Sequence, residues 1–351
     1  MSSGLAGTSL TEEMVEADLR QTLNKPNLKL KVAIKLEYEE ASEGLPQSVV
    51  AKIPLAQKMS TMLQGFSNDG NSDAINKLSS DLSAMAPLFH LKECQLFDFF
   101  QKHPPKFPVP TIYKTQPIVE GQLGYILMSD LSDDMHLVPF GEHLNLQQSK
   151  LMLDFLADWT AYAYNHSEMH EMFPAYPDEM MAAALDMMAG SFAKFVQAKP
   201  EYFEGKESWM PAISMESRKE MEKATEVKYG IGRVIAHGDL HFNNVIFNQD
   251  ASQLRAVIDW AVIHSGFIME DLSRVLMMHF QTRVAAQVPP EKAFSLEQLV
   301  GCFKEFWPQQ ITFMVNFCAG SIHVFRTPEA KEKLFTNIRD LLEELNPDNK
   351  A

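Results

Sequence analysis

The feature of this sequence that most restricts its fold is a loop followed by a hairpin, both within residues 234–259. The run reads VIAHGDLHFNNVIF and, after a short polar turn, LRAVIDW. Two apolar stretches, 245–247 and 254–258, flank that turn and predict a β-hairpin. Because a hairpin brings its open ends together, Asn244 at its start and Asp259 at its end are expected to lie side by side.

These polar residues predict a metal ion and a base at one place. A carboxylate beside an amide oxygen is a pair that Mg²⁺ prefers, so Asn244 and Asp259 are candidate metal ligands. Asp239 lies five residues before Asn244, on the loop that leads to the same place, and is the candidate catalytic base for an attacking hydroxyl. This combination suits phosphoryl transfer. For His241 in that loop two interpretations stay open, a substrate contact or a cap of the loop.

The motif resembles the aminoglycoside phosphotransferase and choline kinase branch of the protein-kinase-like fold. Protein kinases place an Asp, an Asn five residues later and a metal-binding Asp in the motifs HRDLxxxxN and DFG. The corresponding letters here are HGDLHFNN and IDW. The segment IDWAVIHSGFIMEDLSRVL is similar in particular to the ecdysteroid-kinase-like, or CHK kinase-like, proteins of insects and nematodes, with Asp271 and Arg274 at the family's Asp-Leu-x-Arg helix start. The resemblance implies that Asp271 anchors the catalytic loop, and we interpret His237 as structural.

This resemblance implies an α+β, two-lobed protein-kinase-like fold with a small mixed β/α lobe and a large helical lobe. The nucleotide-binding lobe is expected over residues 1–130, and the helical lobe with the catalytic loop and the substrate pocket over 131–351. The implied cofactors are ATP and Mg²⁺. Asp271 follows Asp259 by only 12 residues, which is too short for the activation loop of a protein kinase. A small-molecule hydroxyl is therefore the expected acceptor, and the resemblance implies a substrate such as a steroid or an amino alcohol.

The small lobe of such a kinase supplies a lysine for the nucleotide phosphates and a glutamate that holds it. Lys52 interrupts the apolar strand VVAKIP, where a buried charge needs a partner, and the resemblance also selects it. The partner implied by the resemblance is Glu93 in HLKECQLFDFF, and the alternative is that Glu93 is a plain surface residue of its helix. Lys35 ends a literal V-A-I-K, but its alternating neighbours place it on a charged strand face, so we expect it to be solvated.

Two other parts of the small lobe follow from pattern and resemblance. The hinge is expected at residues 128–131, where the backbone of Ser129 and Leu131 would meet the adenine. The alternation of apolar and charged residues over 28–38 predicts one half-buried strand, which would form a hairpin with the apolar strand 49–53.

One departure from the family concerns the loop that covers the phosphates, which usually contains glycine. Residues 8–43 contain no glycine, and backbone amides approach phosphates closely only where residues are small and permissive. Either this loop is absent or another segment replaces it. The alternative function is therefore a catalytically impaired pseudokinase that acts as a binding or scaffold protein. The intact Asp239, Asn244 and Asp259 oppose that alternative.

Composition argues against several other classes of protein. The chain carries 31 Lys and Arg against 46 Asp and Glu, a net charge of −15, which disfavours nucleic acid and anionic membranes as partners. No apolar run is long enough for a transmembrane helix, and the start of the sequence lacks the pattern of a signal peptide. The three cysteines form no CxxC pair. These features predict a reduced, cytoplasmic protein.

Overall fold

The structure, a computed structural model, describes residues 11–22, 29–31, 35–37, 45–54, 72–120, 122–138, 144–188, 190–273, 295–322, 325 and 327–350. The chain divides into two compact units. Unit 1 comprises Met1–Leu55, Met85–Leu137 and Asp239–Ile263, and unit 2 comprises Ala56–Ala84, Val138–Gly238 and His264–Ala351. The lobe boundary expected after residue 130 stays a prediction.

Among the described residues, strands and helices are mixed in the first part of the chain, and helices dominate the second. The first elements are α1 Glu12–Thr22, β1 Lys29–Lys31, β2 Lys35–Glu37, β3 Val49–Lys52, α2 Ser72–Lys102, β4 Ile112–Gln116 and β5 Tyr125–Ser129. Next come α3 Leu146–Asn165, α4 Met169–Met172, α5 Asp178–Met188, α6 Ala193–Ala198, α7 Pro200–Phe203 and α8 Met215–Tyr229. The last are β6 Val234–Ala236, β7 Val245–Phe247, β8 Leu254–Val257, β9 His264–Gly266, α9 Met269–Leu272, α10 Leu296–Gly320 and α11 Pro328–Glu343.

Unit 1 contains an antiparallel sheet with the strand order β3-β5-β4. The register pairs Lys52 of β3 with Ile126 of β5, so the candidate lysine lies on a strand fixed by the central strand of the sheet. Val15 and Leu19 of α1 pack in one apolar cluster with Val49, Tyr125 and Leu127 of this sheet. Removing these side chains from water stabilises the platform that carries Lys52.

The single strand predicted over residues 28–38 is wrong. The chain forms two three-residue strands, β1 and β2, which pair antiparallel with Leu30 opposite Leu36. The alternating pattern fits both arrangements, because direct partners in a hairpin lie on the same face. The predicted hairpin with residues 49–53 is also wrong, since β3 pairs with β5. The side chain of Lys35 and residues 32–34 lie outside the described part of the chain.

Unit 2 is mainly helical. One of its apolar clusters joins the buried rings of Phe195, Phe203 and Phe335 with other side chains of α10 and α11. Its two-stranded sheet pairs β6 with β9, with Ala236 opposite His264. Among the described helices, none has the length and apolar character needed to cross a membrane. Small antiparallel sheets combined with many helices confirm the predicted α+β class.

Candidate active site

Lys52 is bonded to two carboxylates at once. Its Nζ donates to Glu93 Oε1 at 2.8 Å and to Asp259 Oδ1 at 2.7 Å. Burial works to lower the pKa of Lys52, but the two carboxylates outweigh it and raise this pKa above its usual value. One third of the lysine side chain and 45% of the Asp259 side chain stay exposed. The ammonium group is therefore charged, held in place and open to solvent on one side.

Glu93 is the buried member of this group. It lies on α2 and is 1% exposed, so it is not a surface residue of the helix. Burial raises the pKa of Glu93, and the ammonium group of Lys52 opposes that rise. Glu93 Oε1 also accepts a hydrogen bond from the backbone N–H of Trp260 at 3.2 Å. One carboxylate thus joins α2 to the lysine and to the residue that follows Asp259.

The predicted hairpin is confirmed, with β7 and β8 paired antiparallel and Val245 opposite Val257. At its open end the N–H of Ile258 donates to the carbonyl oxygen of Asn244 at 2.9 Å, which brings Asn244 next to the segment that carries Asp259. Asp259 has φ of 64°, in the left-handed region. A non-glycine residue there costs about 1–2 kcal/mol, which surrounding contacts must offset. Two such contacts are the hydrogen bond from Lys52 Nζ to Asp259 Oδ1 and the one from the backbone N–H of Trp260 to Glu93 Oε1.

Asp239 and Asn244 contact each other. Asn244 is 7% exposed, and its Nδ2 donates to the carbonyl oxygen of Asp239 at 2.9 Å and to its Oδ2 at 3.1 Å. These bonds fix the amide plane and direct the amide oxygen away from Asp239. A fixed amide oxygen near a second oxygen donor, Asp259, is suited to a hard cation.

The residues just before Asp239 are anchored within unit 2. Asp271 is buried, and its two carboxylate oxygens accept from the backbone N–H groups of His237 at 2.7 Å and Gly238 at 3.1 Å. Gly238 has φ of 82°, a conformation that glycine adopts without strain. Asp271 therefore contacts the backbone, and Arg274 lies outside the described residues.

Ser129 ends β5, and Leu131 follows two residues later. In the described part of the chain, neither residue has a hydrogen bond to the candidate site residues Glu93, Asp239 or Asp259. The N–H of Ser129 donates to Thr111 O at 2.8 Å, and Ser129 Oγ accepts from Thr111 N at 3.0 Å. Asp130 between them accepts from Ser48 Oγ at 2.7 Å. Leu131 precedes a short 3₁₀ turn, Ser132–Asp134. These bonds hold the segment after β5 in a defined path, and its contact with adenine stays a prediction.

Lys92 makes a buried contact that we did not predict from the sequence. It is 5% exposed, its Nζ donates to Ile263 O at 3.1 Å, and burial lowers its pKa to about 8. Neighbouring residues of α2 thus hold both ends of the segment after Asp259, Glu93 at Trp260 and Lys92 at Ile263. The sequence does contain a signal for this burial. Positions 89, 92, 96 and 99 form one stripe of the helix, and Lys92 stands in that stripe among apolar residues.

The donor set limits the metal that this site could hold. In the described part of the chain, no group of three or more His, Cys, Asp or Glu side chains is arranged to hold a metal ion. Asn244 and Asp259 would thus need further ligands. Mg²⁺ typically takes one or two protein oxygens and completes its shell with phosphates and water, so these residues fit it.

The parts of this site follow the order found in a protein-kinase-like fold: a lysine on a strand, a glutamate on a later helix, a loop Asp and Asn, and an Asp after a hairpin. This order agrees with the predicted protein-kinase-like fold. A family model, DUF1679, described as "Uncharacterized oxidoreductase dhs-27", matches residues 30–347. Since the match covers most of the chain, this protein belongs to that family.

Two curated proteins of Caenorhabditis elegans are similar over part of the chain. "Uncharacterized oxidoreductase dhs-27" is 27% identical over 196 residues, which are 52% of this chain and 23% of that protein. "Uncharacterized kinase-like protein D1044.1" is 24% identical over 174 residues, which are 49% of this chain and 46% of that protein. The chain therefore spans less than half the length of the curated relatives that it matches.

Similar solved structures have low sequence identity. The ADP-bound aminoglycoside phosphotransferase APH(2'')-Ib is 11% identical, with 93% of this chain and 97% of that chain covered and a TM-score of 0.40. The Plasmodium vivax ethanolamine kinase is 12% identical, with 72% of this chain and 71% of that chain covered and a TM-score of 0.37.

Proposed function

We propose that this protein is an ATP-dependent phosphotransferase that acts on a hydroxyl group of a small molecule. The observation that carries the proposal is Lys52, bonded to Glu93 and Asp259 at 2.8 and 2.7 Å with part of its charge exposed. A partly exposed ammonium group beside Asp259, at the end of the β7–β8 hairpin, is suited to the negative phosphates of a nucleotide.

Each residue of the site has a distinct role in this proposal. Lys52 binds the nucleotide phosphates, and Glu93 orients it. Asn244 and Asp259 hold Mg²⁺, which when bound neutralises charge on the phosphates. The acceptor hydroxyl gives its proton to Asp239 while its oxygen bonds to the γ-phosphorus, and the bond from that phosphorus to the bridging oxygen breaks to release ADP. The adenine lies against the backbone at Ser129 and Leu131.

A small-molecule acceptor fits the short segment between Asp259 and Asp271 better than a protein acceptor, because the 11 residues between them cannot form an activation loop. The substrate class we infer is a steroid or an amino alcohol, as in the CHK kinase-like group that the sequence resembles. The C. elegans relative described as kinase-like supports a kinase function. The oxidoreductase in the family's description is a protein of which the matched region forms 23%.

We place the protein in the cytoplasm. Its three cysteines are thiols that form no disulfide, and Cys94 and Cys302 are buried. Burial raises the pKa of both thiols to about 12, so neither is a reactive thiolate at neutral pH. Free cysteines are typical of a reducing compartment.

Replacing the candidate lysine tests the proposal. Lys52→Met should weaken Mg·ATP binding about 10- to 100-fold, since a charge-assisted hydrogen bond is worth about 1.5–3 kcal/mol. Lys35→Met is the matched control, because Lys35 ends the literal V-A-I-K but lies on β2, which pairs with β1. Isothermal titration with Mg·ATP measures both variants.

The Lys52→Met variant leaves Glu93 buried without its cation, which can destabilise the fold by about 3–5 kcal/mol. The double variant Lys52→Met with Glu93→Gln removes that charge and separates folding from binding. If Lys35→Met weakens Mg·ATP binding and the Lys52 variants bind like the wild type, the site is assigned to the wrong lysine.

A further inference from the structure

His241 contacts both Asp239 and Asn244, the candidate base and a candidate metal ligand. Its Nε2 lies 3.4 Å from Asp239 Oδ2 and 3.3 Å from Asn244 Nδ2. On the other side of the ring, Nδ1 accepts a hydrogen bond from the backbone N–H of Asn243 at 3.2 Å. The imidazole therefore contacts the backbone turn with one nitrogen and the candidate base with the other.

The hydrogen-bond pattern selects one form of the ring. Nδ1 carries no proton where it accepts from the Asn243 N–H, so the proton of the neutral imidazole lies on Nε2. The amide group of Asn244 has two protons and donates to two oxygens of Asp239, at 2.9 and 3.1 Å. Nε2–H of His241 then has Asp239 Oδ2 as its acceptor. The opposite tautomer would set two N–H donors against each other at Asn243.

We infer that His241 is a positioning residue for Asp239, and that it acts through an Nε2–H···Oδ2 hydrogen bond. Asp239 Oδ2 is then held from two directions, by the amide group of Asn244 and by the imidazole of His241. Catalytic hydrogen bonds are often long without substrate and shorten in the reactive complex, which fits the separation of 3.4 Å. Capping of the turn is the second task of the same ring and orients it.

Two substitutions separate these tasks. In His241→Asn the side-chain oxygen can still accept from the Asn243 N–H, since Asn is a good cap, but the side chain is too short for Asp239. In His241→Gln the longer amide can donate near the position of Nε2, while the cap is lost. The assay is hydrolysis of Mg·ATP with water as the acceptor, so it needs no identified substrate.

The inference predicts that His241→Asn lowers kcat about 10- to 100-fold with KM for Mg·ATP unchanged, as for other losses of an orienting group. His241→Gln should keep kcat close to that of the wild type. The reverse order, with Asn active and Gln impaired, would show that His241 only caps the loop. An unchanged kcat in both variants, or a rise in KM alone, would also overturn the inference.

A measurement on the nucleotide-free protein tests the ring directly. Nitrogen-15 NMR of the imidazole, with the His241 signal assigned by its loss in His241→Asn, should show the Nε2–H tautomer. An Nδ1–H tautomer overturns the positioning role. The activity assay rests on the proposed function, whereas the NMR result does not. If the wild type binds no Mg·ATP, the proposed function is wrong and the tautomer still decides the role of His241.

Discussion

Asp239→Asn should reduce turnover about 10²–10⁴-fold, the usual contribution of a positioned general base. The substitution preserves the shape of the side chain and an oxygen that can accept from Asn244 Nδ2, a bond of 3.1 Å in the structure. It removes the negative charge that accepts the proton of the attacking hydroxyl. Binding of Mg·ATP should stay the same, because Lys52, Asn244 and Asp259 are unchanged in this variant. Initial rates of ADP release at saturating Mg·ATP measure the loss.

Asp250→Asn is the matched control for this variant. Asp250 lies in the turn between β7 and β8, where its Oδ1 accepts from Ser252 N at 3.0 Å. Asn forms the same kind of turn, so the control makes the same change of charge outside the site. Equal rates for Asp239→Asn and the wild type would remove the base from the proposal.

Asp259→Asn should abolish the effect of Mg²⁺ on nucleotide binding. The carboxylate is a candidate metal ligand and also accepts from Lys52 at 2.7 Å, so the substitution removes the negative charge of that ligand and leaves Lys52 on Glu93. Asn tolerates the left-handed φ of 64° at this position, so the fold should persist. A ligand at 100 times its Kd stabilises a protein by about 2.7 kcal/mol, and this amount should be lost for Mg·ATP.

Thermal unfolding with ATP, with and without Mg²⁺, measures that loss. The wild type and Asp250→Asn should melt at a higher temperature when Mg²⁺ accompanies ATP. Asp259→Asn should melt at the same temperature in both conditions. A full response to Mg²⁺ in this variant would show that the metal is held elsewhere.

The hairpin and its polar ends could be predicted from sequence because their determinants are local. Two apolar stretches and a polar turn lie within 14 residues, 245–258, and the loop before them is fixed by short-range bonds such as Asn244 to Asp239. The pairing of strands within the sheet was harder to predict from sequence. β3 pairs with β5, with Val49 opposite Ser129, and the local pattern of neither strand indicates so distant a partner.

Other features of the site depend on packing that sequence patterns do not contain. The left-handed backbone at Asp259 follows from bonds made by Lys52 and Glu93, which come from distant parts of the chain. The role of Lys92 required the position of Ile263. For His241 the sequence left substrate contact and capping open, and only the distances from its two ring nitrogens to Asn243 and Asp239 separate the tasks.

Calorimetric titration of the wild type with adenosine and with ATP, each with and without Mg²⁺, shows whether Lys52, Asn244 and Asp259 form a metal-dependent site for nucleotide phosphates. Because residues 8–43 contain no glycine for a phosphate-covering loop, we expect weak ATP binding. Each missing charge-assisted bond would lower affinity about 10- to 100-fold. We predict that Mg²⁺ strengthens the binding of ATP and leaves that of adenosine unchanged. No ATP binding, or binding that Mg²⁺ does not alter, would show that these three residues form no such site.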